Sequence, residues 1–419
     1  MKINRIKIFF TALVLSTPIL VFAQSSSVYS SIGIGDPRYS FSSISMGMGQ
    51  TGVSLAESDN LELINPATWY KLNRTRFNLG ISYRGISLKD NITSGYNDDT
   101  QIDGFTLGFP ISQELGIGAA IGMVPYSNIG YKIVNDNPIG AAGSNNTSRV
   151  TYEGKGGLSK TFIGASYKLP FDVVLGATLD YYFGKLNYTS NSEILGGTSS
   201  SIQYTKSLNP SGLGTTFGFL TPDLNNLLKL KDVSDFRLGV SFNYFSSLRT
   251  DSMYTSTSTV RTDTMSNGTA EMKIPTRISA GLSLAISKKY LLSLDIVSQP
   301  WENFSYAGAK SDELRNAFRL GGGFEYRPIP DLGDTFWEQV IWRAGLSYEQ
   351  TQYKINNTGI NQVAVSGGMS IPISFANYLD LDFQYALRGT TSSGLVKENV
   401  FTFNLGINLG DVWFLRRAY

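Results

Sequence analysis

The chain has 419 residues with no Cys and no His, 16% charged residues and a formal net charge of +2. The absence of Cys and His excludes Ser-His and Cys-His nucleophiles, thiolate or imidazole metal sites and disulfides, so no catalytic residue, metal site or cofactor is predicted. A charge this close to neutral also argues against nucleic-acid binding, which needs a concentrated basic surface.

The first 23 residues have the pattern of a secretory signal peptide. Lys2, Arg5 and Lys7 precede an apolar run over residues 8–22, and Ala23 follows it. We therefore expect cleavage after Ala23. The apolar run is shorter than the roughly 20 residues that a membrane-spanning helix needs.

From Phe77 onward, apolar residues alternate with Gly, Ser, Asn and charged residues, which is the period of a strand with two unlike faces. Between Phe236 and Tyr244, for example, large apolar residues occupy every second position. The opposite faces have little apolar surface with which to fill a protein core. This contrast favours lipid outside and a polar lumen inside over a soluble β-sandwich.

Residues 74–419 contain about fourteen such segments. The predicted fold class is therefore all-β, a transmembrane antiparallel β-barrel of about fourteen strands. Polar stretches rich in Asn, Thr and Ser, such as residues 135–147 and 189–200, are predicted to be extracellular loops.

Residues 24–73 lack this alternation and are rich in Gly and Ser. A barrel of about fourteen strands is wider than the eight-stranded size that side chains alone fill. We therefore predict that residues 24–73 fold back into the lumen as a hatch. Its apolar residues either line a mostly apolar ligand pocket or pack the hatch against itself; they are Phe41, Ile44, Met46, Met48, Leu55, Leu63 and Ile64.

The run from Met46 to Asn60, followed by Asn65-Pro66-Ala67, resembles the hatch of the FadL/TodX outer-membrane transport family. Ile274-Pro275-Thr276-Arg277 with Gly281 is similar to the opening of a mid-barrel strand in that family, and the start Val28 to Asp36 resembles members from Bacteroidota. The resemblance implies an outer-membrane barrel of fourteen strands with an N-terminal hatch. It further implies passive uptake of a hydrophobic small molecule or lipid, fatty-acid-like or aromatic, with lateral release into the outer-membrane lipids.

A divergent branch of the same family instead serves type IX secretion, where it binds cargo proteins at the cell surface. Strand count and hatch do not separate the two roles, so a secretion-system partner is the alternative. The Asn-Pro-Ala motif leaves two interpretations open as well. Asn65 closes the ligand path, or Pro66 simply ends the hatch through the extended conformation that it imposes on the residue before it.

Several charged residues are predicted to face the lumen. Asp380 and Asp382 lie two residues apart on one strand face, and their expected role is to hydrogen-bond the hatch rather than to act as acid and base. Arg319 and Glu325 share the luminal face of one strand. Arg343 and Glu349 share that face of the next strand, and 319 + 349 and 325 + 343 both give 668. Since residue sums are constant along an antiparallel pair, Arg319 should pair with Glu349, and Glu325 with Arg343.

The third strand begins with good alternation and then meets Pro125, with Asn128 and Gly130 beyond it. Proline donates no ladder hydrogen bond and belongs at bulges or strand ends. In the family that the chain resembles, an inward break in the third strand opens the side of the barrel toward lipid. The resemblance therefore implies that the wall at Pro125 is bent or unpaired, faces hatch residues near Asn65 and forms a lateral exit. The alternative is that the strand simply ends near Pro125 at the outer membrane boundary.

Overall fold

Residues 27–40, 42–139, 147–195, 201–329, 335–374 and 376–411 are described by a computed structural model, and they form a closed antiparallel barrel of fourteen strands. The predicted signal peptide and Phe41 lie outside the described residues. The strands are β1 Thr75–Lys89, β2 Ser94–Ser112, β3 Ile117–Pro125 and Ser127–Pro138, β4 Thr147–Lys168, β5 Val174–Leu195, β6 Ser201–Leu220, β7 Val233–Phe245 and Leu248–Ser258, β8 Thr262–Lys273 and Arg277–Ile286, β9 Tyr290–Gln299, β10 Ala317–Tyr326, β11 Ile341–Ile355, β12 Thr358–Ser374, β13 Asn377–Arg388 and β14 Lys397–Asp411.

Helical elements are few and short. The α-helices are α1 Ser43–Gly47 and α2 Asn225–Leu228, and the 3₁₀ helices are Val28–Ser31, Pro66–Lys71, Pro170–Asp172, Trp301–Asn303, Phe336–Gln339 and Ser392–Gly394. Three two-residue strands, Asp36–Pro37, Ser305–Tyr306 and Ala309–Lys310, complete the elements. Within the described part of the chain, no helix is long and apolar enough to cross a membrane.

The barrel closes by pairing its last strand with its first, from Thr75↔Asp411 to Lys89↔Lys397. The barrel therefore begins and ends at the same end, which also carries short connections such as that between Lys168 and Val174. We call this the turn end and the opposite end the loop end. An even number of antiparallel strands requires this arrangement.

The outer surface carries a belt of exposed apolar side chains to which every strand contributes, as the alternation predicts. One member from each strand in order is Ile81, Phe105, Ile121, Ile163, Leu179, Phe217, Val240, Ile278, Leu294, Leu320, Leu346, Val365, Phe383 and Phe403. A continuous apolar belt on a closed sheet is the surface that lipid covers in transmembrane barrels.

Two predicted loops are wrong in part, because strands continue into them. β3 extends to Pro138 and β5 to Leu195, and both remain paired with β4 over these residues. Thr, Ser and Asn are tolerated in a strand that water wets on both faces, where no apolar alternation is needed. At the loop end, six strand segments from β3 to β8 thus form a sheet that projects past the apolar belt.

Residues 27–73, here called the N-terminal segment, contact the inward faces of strands around the barrel. Inward-facing glycines let its backbone approach closely: a Cβ atom at Gly345 on β11 would lie 2.0 Å from Gly49 N, and one at Gly239 on β7 would lie 2.4 Å from Val53 O. The same holds at Gly118 on β3, where a Cβ atom would lie 2.2 Å from Trp69 O. A side chain at these positions would displace the segment.

The substitution Gly345→Val tests this packing. Overpacking costs about 1–3 kcal/mol where a neighbour yields, and backbone yields little. We expect the segment to lose its position, so that trypsin cleaves after Arg38, while the folded barrel keeps its electrophoretic mobility. The matched control is Gly367→Val, where the nearest atom to a new Cβ lies at 3.6 Å. Equal protection of Arg38 in both variants would contradict this packing.

Candidate functional site: the barrel interior and the gap beside β3

Asn65 both caps a helix and attaches it to the wall. Its Oδ1 atom accepts the N–H of Ala67 at 3.0 Å at the start of the 3₁₀ helix Pro66–Lys71. Its Nδ2 atom donates to the carbonyls of Val53 at 2.7 Å and Phe219 at 3.0 Å. The backbone of Asn65 is extended, as Pro66 requires. The motif thus builds a helix that rests on β6.

The predicted apolar residues have separate surroundings. Met48 and Leu55 are buried together against Leu291 of β9. Leu63 belongs to a cluster with Leu61 and Trp69 of the segment and with residues of β3 and β4. Three others border small internal cavities: Met46, Ile44 and Ile64. The structure does not bring the set together as one apolar pocket.

Polar groups of the wall hold the backbone of the segment. The buried Asp295 carboxylate accepts the N–H groups of Gly52 at 2.6 Å and Val53 at 2.9 Å. Arg319 donates to the carbonyl oxygens of Gly49 and, at 3.2 Å, of Gln50. Charge-assisted hydrogen bonds of this kind are about twice as strong as neutral ones.

The register of β10 and β11 is the one that the residue sums predict. Arg319 is opposite Glu349 and Glu325 is opposite Arg343. Arg343 Nε lies 2.7 Å from Glu325 Oε2, in a buried pair. The guanidinium of Arg319 is instead engaged by the carbonyls of the segment, so only one of the two opposed pairs forms a short ion pair.

Asp380 and Asp382 are both buried on β13. Asp380 accepts hydrogen bonds from Ser370 Oγ on β12 and, at 3.5 Å, from Ser43 Oγ of α1. Among the described residues, neither oxygen of Asp382 has a hydrogen-bond partner. Asp380 therefore contacts the segment through a side-chain hydrogen bond, whereas Asp382 does not.

A charged cluster links the segment to the wall near the turn end. Arg327 Nη1 lies 2.9 Å from Glu57 Oε2 and 3.0 Å from Asp59 Oδ2, and its Nε lies 2.9 Å from Glu325. Burial raises the pKa of Glu57 to about 7, although Arg327 opposes this. Glu62, which accepts the N–H of Leu63 at 3.0 Å, has its pKa raised to about 8, chiefly by burial.

A second charged cluster lies around Asp36, and the sequence analysis does not predict it. Arg388 Nη1 is 3.0 Å from Asp36 Oδ2, and Tyr353 donates to Asp36 Oδ1 at 2.8 Å. Glu398 accepts the N–H of Val28 at 3.0 Å and the Ser27 hydroxyl at 2.8 Å. Partners of this kind are far apart in sequence, and only the closed barrel brings them together.

A cavity between the N-terminal segment and the inner wall has a volume of about 90 Å³. Charged and polar groups dominate its lining, including Arg38, Arg84, Asp103, Glu349 and Arg388. This cavity is therefore not the mostly apolar pocket that the sequence analysis predicts between segment and wall. The apolar side chains of the segment pack against one another and against the wall. Tyr29, Ile32 and Ile34, for example, belong to a large apolar cluster that includes wall residues.

The barrel wall is interrupted between β2 and β3. Their ladder runs from Ser112↔Ile117 to Phe105↔Met123 and stops there. Beyond that point, residues 94–104 and 124–138 share no ladder, and we call this region the wall gap. On its other side β3 remains paired with β4. Pro125 is opposite Ser159, and the backbone N–H of Tyr126 donates to the Leu158 carbonyl at 2.7 Å.

A β-bulge explains where the ladder stops. Gly80 is opposite Gly104 and Ile81 is opposite Ile102, so Asp103 is the extra residue. Gly104 has a φ of +95°, which side-chain-bearing residues rarely adopt. The bulge turns the Asp103 carboxylate inward, where it binds Arg38 and accepts the Ser82 hydroxyl at 2.8 Å.

The N-terminal segment pairs with β3 at the wall gap. Asp36 is opposite Asn128 and Pro37 is opposite Ser127, while Gly130 N donates to Ser30 Oγ at 3.1 Å. Asn128 also donates across the gap to Asp99 of β2 at 3.0 Å.

The wall at Pro125 faces the segment close to Asn65, because Val124 clusters with Leu61 and Leu63. Asn65 itself contacts β6.

Comparison with known proteins supports the architecture. A family model described as BamG matches residues 5–419. No curated protein sequence matches significantly.

Solved structures match along nearly their whole length. The toluene transporter TbuX of Ralstonia pickettii is 16% identical, with 89% of this chain and 98% of that chain covered and a TM-score of 0.56. A FadL homologue of Pseudomonas aeruginosa is 12% identical, with coverage of 89% and 99% and a TM-score of 0.60. The toluene transporter TodX of P. putida is 15% identical, with coverage of 89% and 98% and a TM-score of 0.58. At these identities the likeness shows a shared fold.

The substitution Asn65→Ala removes a helix cap and two buried donors. We expect it to lower the free energy of unfolding by roughly 2–3 kcal/mol, measured by urea titration in lipid vesicles. The control is Asn226→Ala on the exposed α2, which should change stability by less than about 0.5 kcal/mol. An equal effect of both substitutions would show that Asn65 does not anchor the helix.

Glu62 should make stability depend on pH. Burial disfavours its charged form only in the folded state, so stability is unaffected at acid pH and falls as pH rises from about 4.5 to about 8. Glu62→Gln should remove this loss. It should raise the free energy of unfolding by at most about 5 kcal/mol at pH 9 and leave it unchanged at pH 4. Unfolding of both proteins at the two pH values measures it, with the exposed Glu302→Gln as control. A gain for Glu62→Gln that is equal at both pH values would refute this assignment.

Proposed function

The chain belongs to the BamG family. From its architecture we propose that it is an outer-membrane protein for passive uptake of hydrophobic molecules. The solute is fatty-acid-like or aromatic, enters from the cell surface and leaves sideways through the wall gap into the membrane lipids. Residues 1–23 serve as the signal peptide, residues 24–73 as the hatch and residues 74–419 as the barrel. Two toluene transporters, TbuX and TodX, share this fold, which supports the proposal.

The observation that carries the proposal is the missing ladder between β2 and β3. In hydrocarbon, breaking a paired strand leaves backbone N–H and C=O groups without partners, at a cost of several kcal/mol for each group. A wall whose ladder is already absent opens without that cost. A hydrophobic solute therefore leaves most easily between residues 94–104 and 124–138.

The N-terminal segment closes this exit by covering it from inside the barrel. It covers the start of the gap through Asp36, Pro37 and Ser30, with few backbone contacts. The cavity of about 90 Å³ behind it is smaller than a solute of this class requires. Passage therefore needs residues 28–39 to move away from β3, while Asn65 and the Asp295 contacts hold the rest of the segment.

A second function is favoured by the polar cavity and the tightly packed lumen. In that case the barrel is a scaffold that binds a protein at the cell surface, as a type IX secretion accessory would. Its interior then serves stability alone, and the N-terminal segment never has to move. The two functions differ in whether the wall gap must open.

A disulfide between Pro37→Cys and Ser127→Cys tests this difference. These residues face each other in an antiparallel pair, within the Cα distance that a disulfide accepts, and the chain has no other cysteine. We expect the oxidised double variant in proteoliposomes to take up toluene or a long-chain fatty acid at least about tenfold more slowly than the reduced one.

Each single-cysteine variant is the control and should be insensitive to oxidation. Equal uptake by the oxidised and reduced double variant would contradict an exit at the wall gap. No uptake by the wild-type protein above empty vesicles would favour the scaffold.

A further inference from the structure

A small polar cavity lies between the N-terminal segment and strands β13, β14, β1 and β2. Its volume is about 20 Å³. It borders the bulge that ends the ladder between β2 and β3, because Asp103 and Gly104 line it together with Gly80. The polar residues around it are Ser42, Ser43, Asn60, Asn78, Asp103, Thr106, Asp380, Asn404 and Asn408.

Five of these residues each have a buried oxygen atom that makes no hydrogen bond with any described group. The atoms are Oδ1 of Asn60, Asn78, Asn404 and Asn408 and Oγ1 of Thr106. Except for Asn78, these residues are at most 6% exposed. A buried polar atom without a partner is destabilising, so five of them around one space indicate an occupant that satisfies them together.

The five residues surround the cavity from both the wall and the segment. Asn408, Asn78 and Thr106 lie directly opposite one another across β14, β1 and β2, so their side chains are neighbours on the luminal face. Asn404 lies two luminal positions further along β14, and Asn60 belongs to the segment.

Hydrogen bonds on the nitrogen side fix the orientation of two of the amides. Asn404 Nδ2 donates to Asp103 Oδ2, and Asn408 Nδ2 donates to the Asp59 carbonyl at 2.9 Å. Turning either amide over would place its oxygen against another oxygen. Both side chains therefore present Oδ1 as an acceptor that still needs a positive partner.

Water does not satisfy all five acceptors. A space of this size holds about one or two water molecules, which donate at most about four hydrogen bonds. The Asp380 carboxylate in the lining adds further acceptors. A single Ca²⁺ ion binds about six to eight oxygen atoms at once, and carboxylates and asparagine carbonyls are among its usual ligands.

Two carboxylates at the cavity have no arginine partner. Asp380 lines the cavity, and Asp382 is opposite Asn404. Neither carboxylate forms an ion pair within the described part of the chain, and Arg343 reaches Asp380 only through the hydroxyl of Ser370. Buried charges in proteins are paired or bind metal ions. A doubly charged cation supplies the positive charge that the ionised carboxylates need.

We propose that this cavity is a calcium site that joins the N-terminal segment to the wall beside the wall gap. Its ligands are the Asp380 carboxylate and the five oxygen atoms named above, from the segment and from four strands. Mg²⁺ fits less well, because it usually keeps several waters and this space is too small for them. The absence of Cys and His does not exclude the site, because Ca²⁺ needs only oxygen ligands. The inference does not depend on the uptake function.

Calcium binding to the full-length protein, stripped of metal with EDTA and placed in phosphatidylcholine nanodiscs, tests the site. Isothermal titration calorimetry should give about one Ca²⁺ per barrel. Asp380→Asn removes the charged ligand, and Thr106→Val replaces one hydroxyl by a methyl group of the same shape. We expect binding to weaken at least about tenfold in the first variant and about threefold in the second.

The matched controls change buried residues that do not line the cavity. Asp180→Asn on β5 and Thr402→Val on β14 should bind Ca²⁺ like the wild-type protein. All variants are compared only after each shows the electrophoretic mobility of the folded barrel. Equal affinity of Asp380→Asn and Asp180→Asn would overturn the proposal.

A second measurement needs no substitution. Ca²⁺ should slow hydrogen–deuterium exchange of the backbone amides in residues 42–60 of the wild-type protein, because the ion holds the segment to the wall. Mg²⁺ and Na⁺ at equal ionic strength should have little effect. No Ca²⁺ binding to the folded wild-type protein, or equal protection by Mg²⁺ or Na⁺, would also overturn the proposal.

Discussion

Close backbone contact between the N-terminal segment and the inner wall is the interaction on which the rest of this structure depends. A barrel of fourteen strands encloses more space than inward side chains fill. The absence of a side chain at Gly345, Gly239 and Gly118 lets the backbone of the segment lie directly on the strands. Asp295 and Arg319 then satisfy its backbone N–H and C=O groups, which water cannot reach. The lumen is thus packed with chain rather than with large side chains.

The same segment also supports the wall where the ladder between β2 and β3 stops. The bulge at Asp103 ends the pairing of β2 with β3 and turns a carboxylate inward to Arg38. The segment replaces the lost neighbour with Asp36 and Pro37 for a short distance only. The wall gap is therefore stabilised by few hydrogen bonds. This weakly bonded region is where we propose the lateral exit, because few hydrogen bonds have to break there.

Much of the barrel could be predicted from the sequence because lipid requires a strict pattern. Alternation and strand count follow from the apolar outer face. The charges of Arg343 and Glu325 predict the register of two strands because opposite charges at facing luminal positions attract each other. Residues 135–138 and 189–195 at the tip of the projecting sheet are predicted as loops, since Thr and Ser strands wetted on both faces have no such pattern. The polar cavity and the Asp36–Arg388 pair were also missed, because residues 352 positions apart meet only after closure.

Uptake through this protein requires that the barrel bind a hydrophobic molecule and release it at the wall gap. Native mass spectrometry of the protein, ejected directly from its own outer membranes, tests this claim most directly. If residues 28–39 move away from β3 to make room, the barrel should carry a small apolar adduct, and a cross-link that seals the wall gap should abolish the adduct. A barrel without any small-molecule adduct, found instead in a stoichiometric complex with a protein, would contradict it.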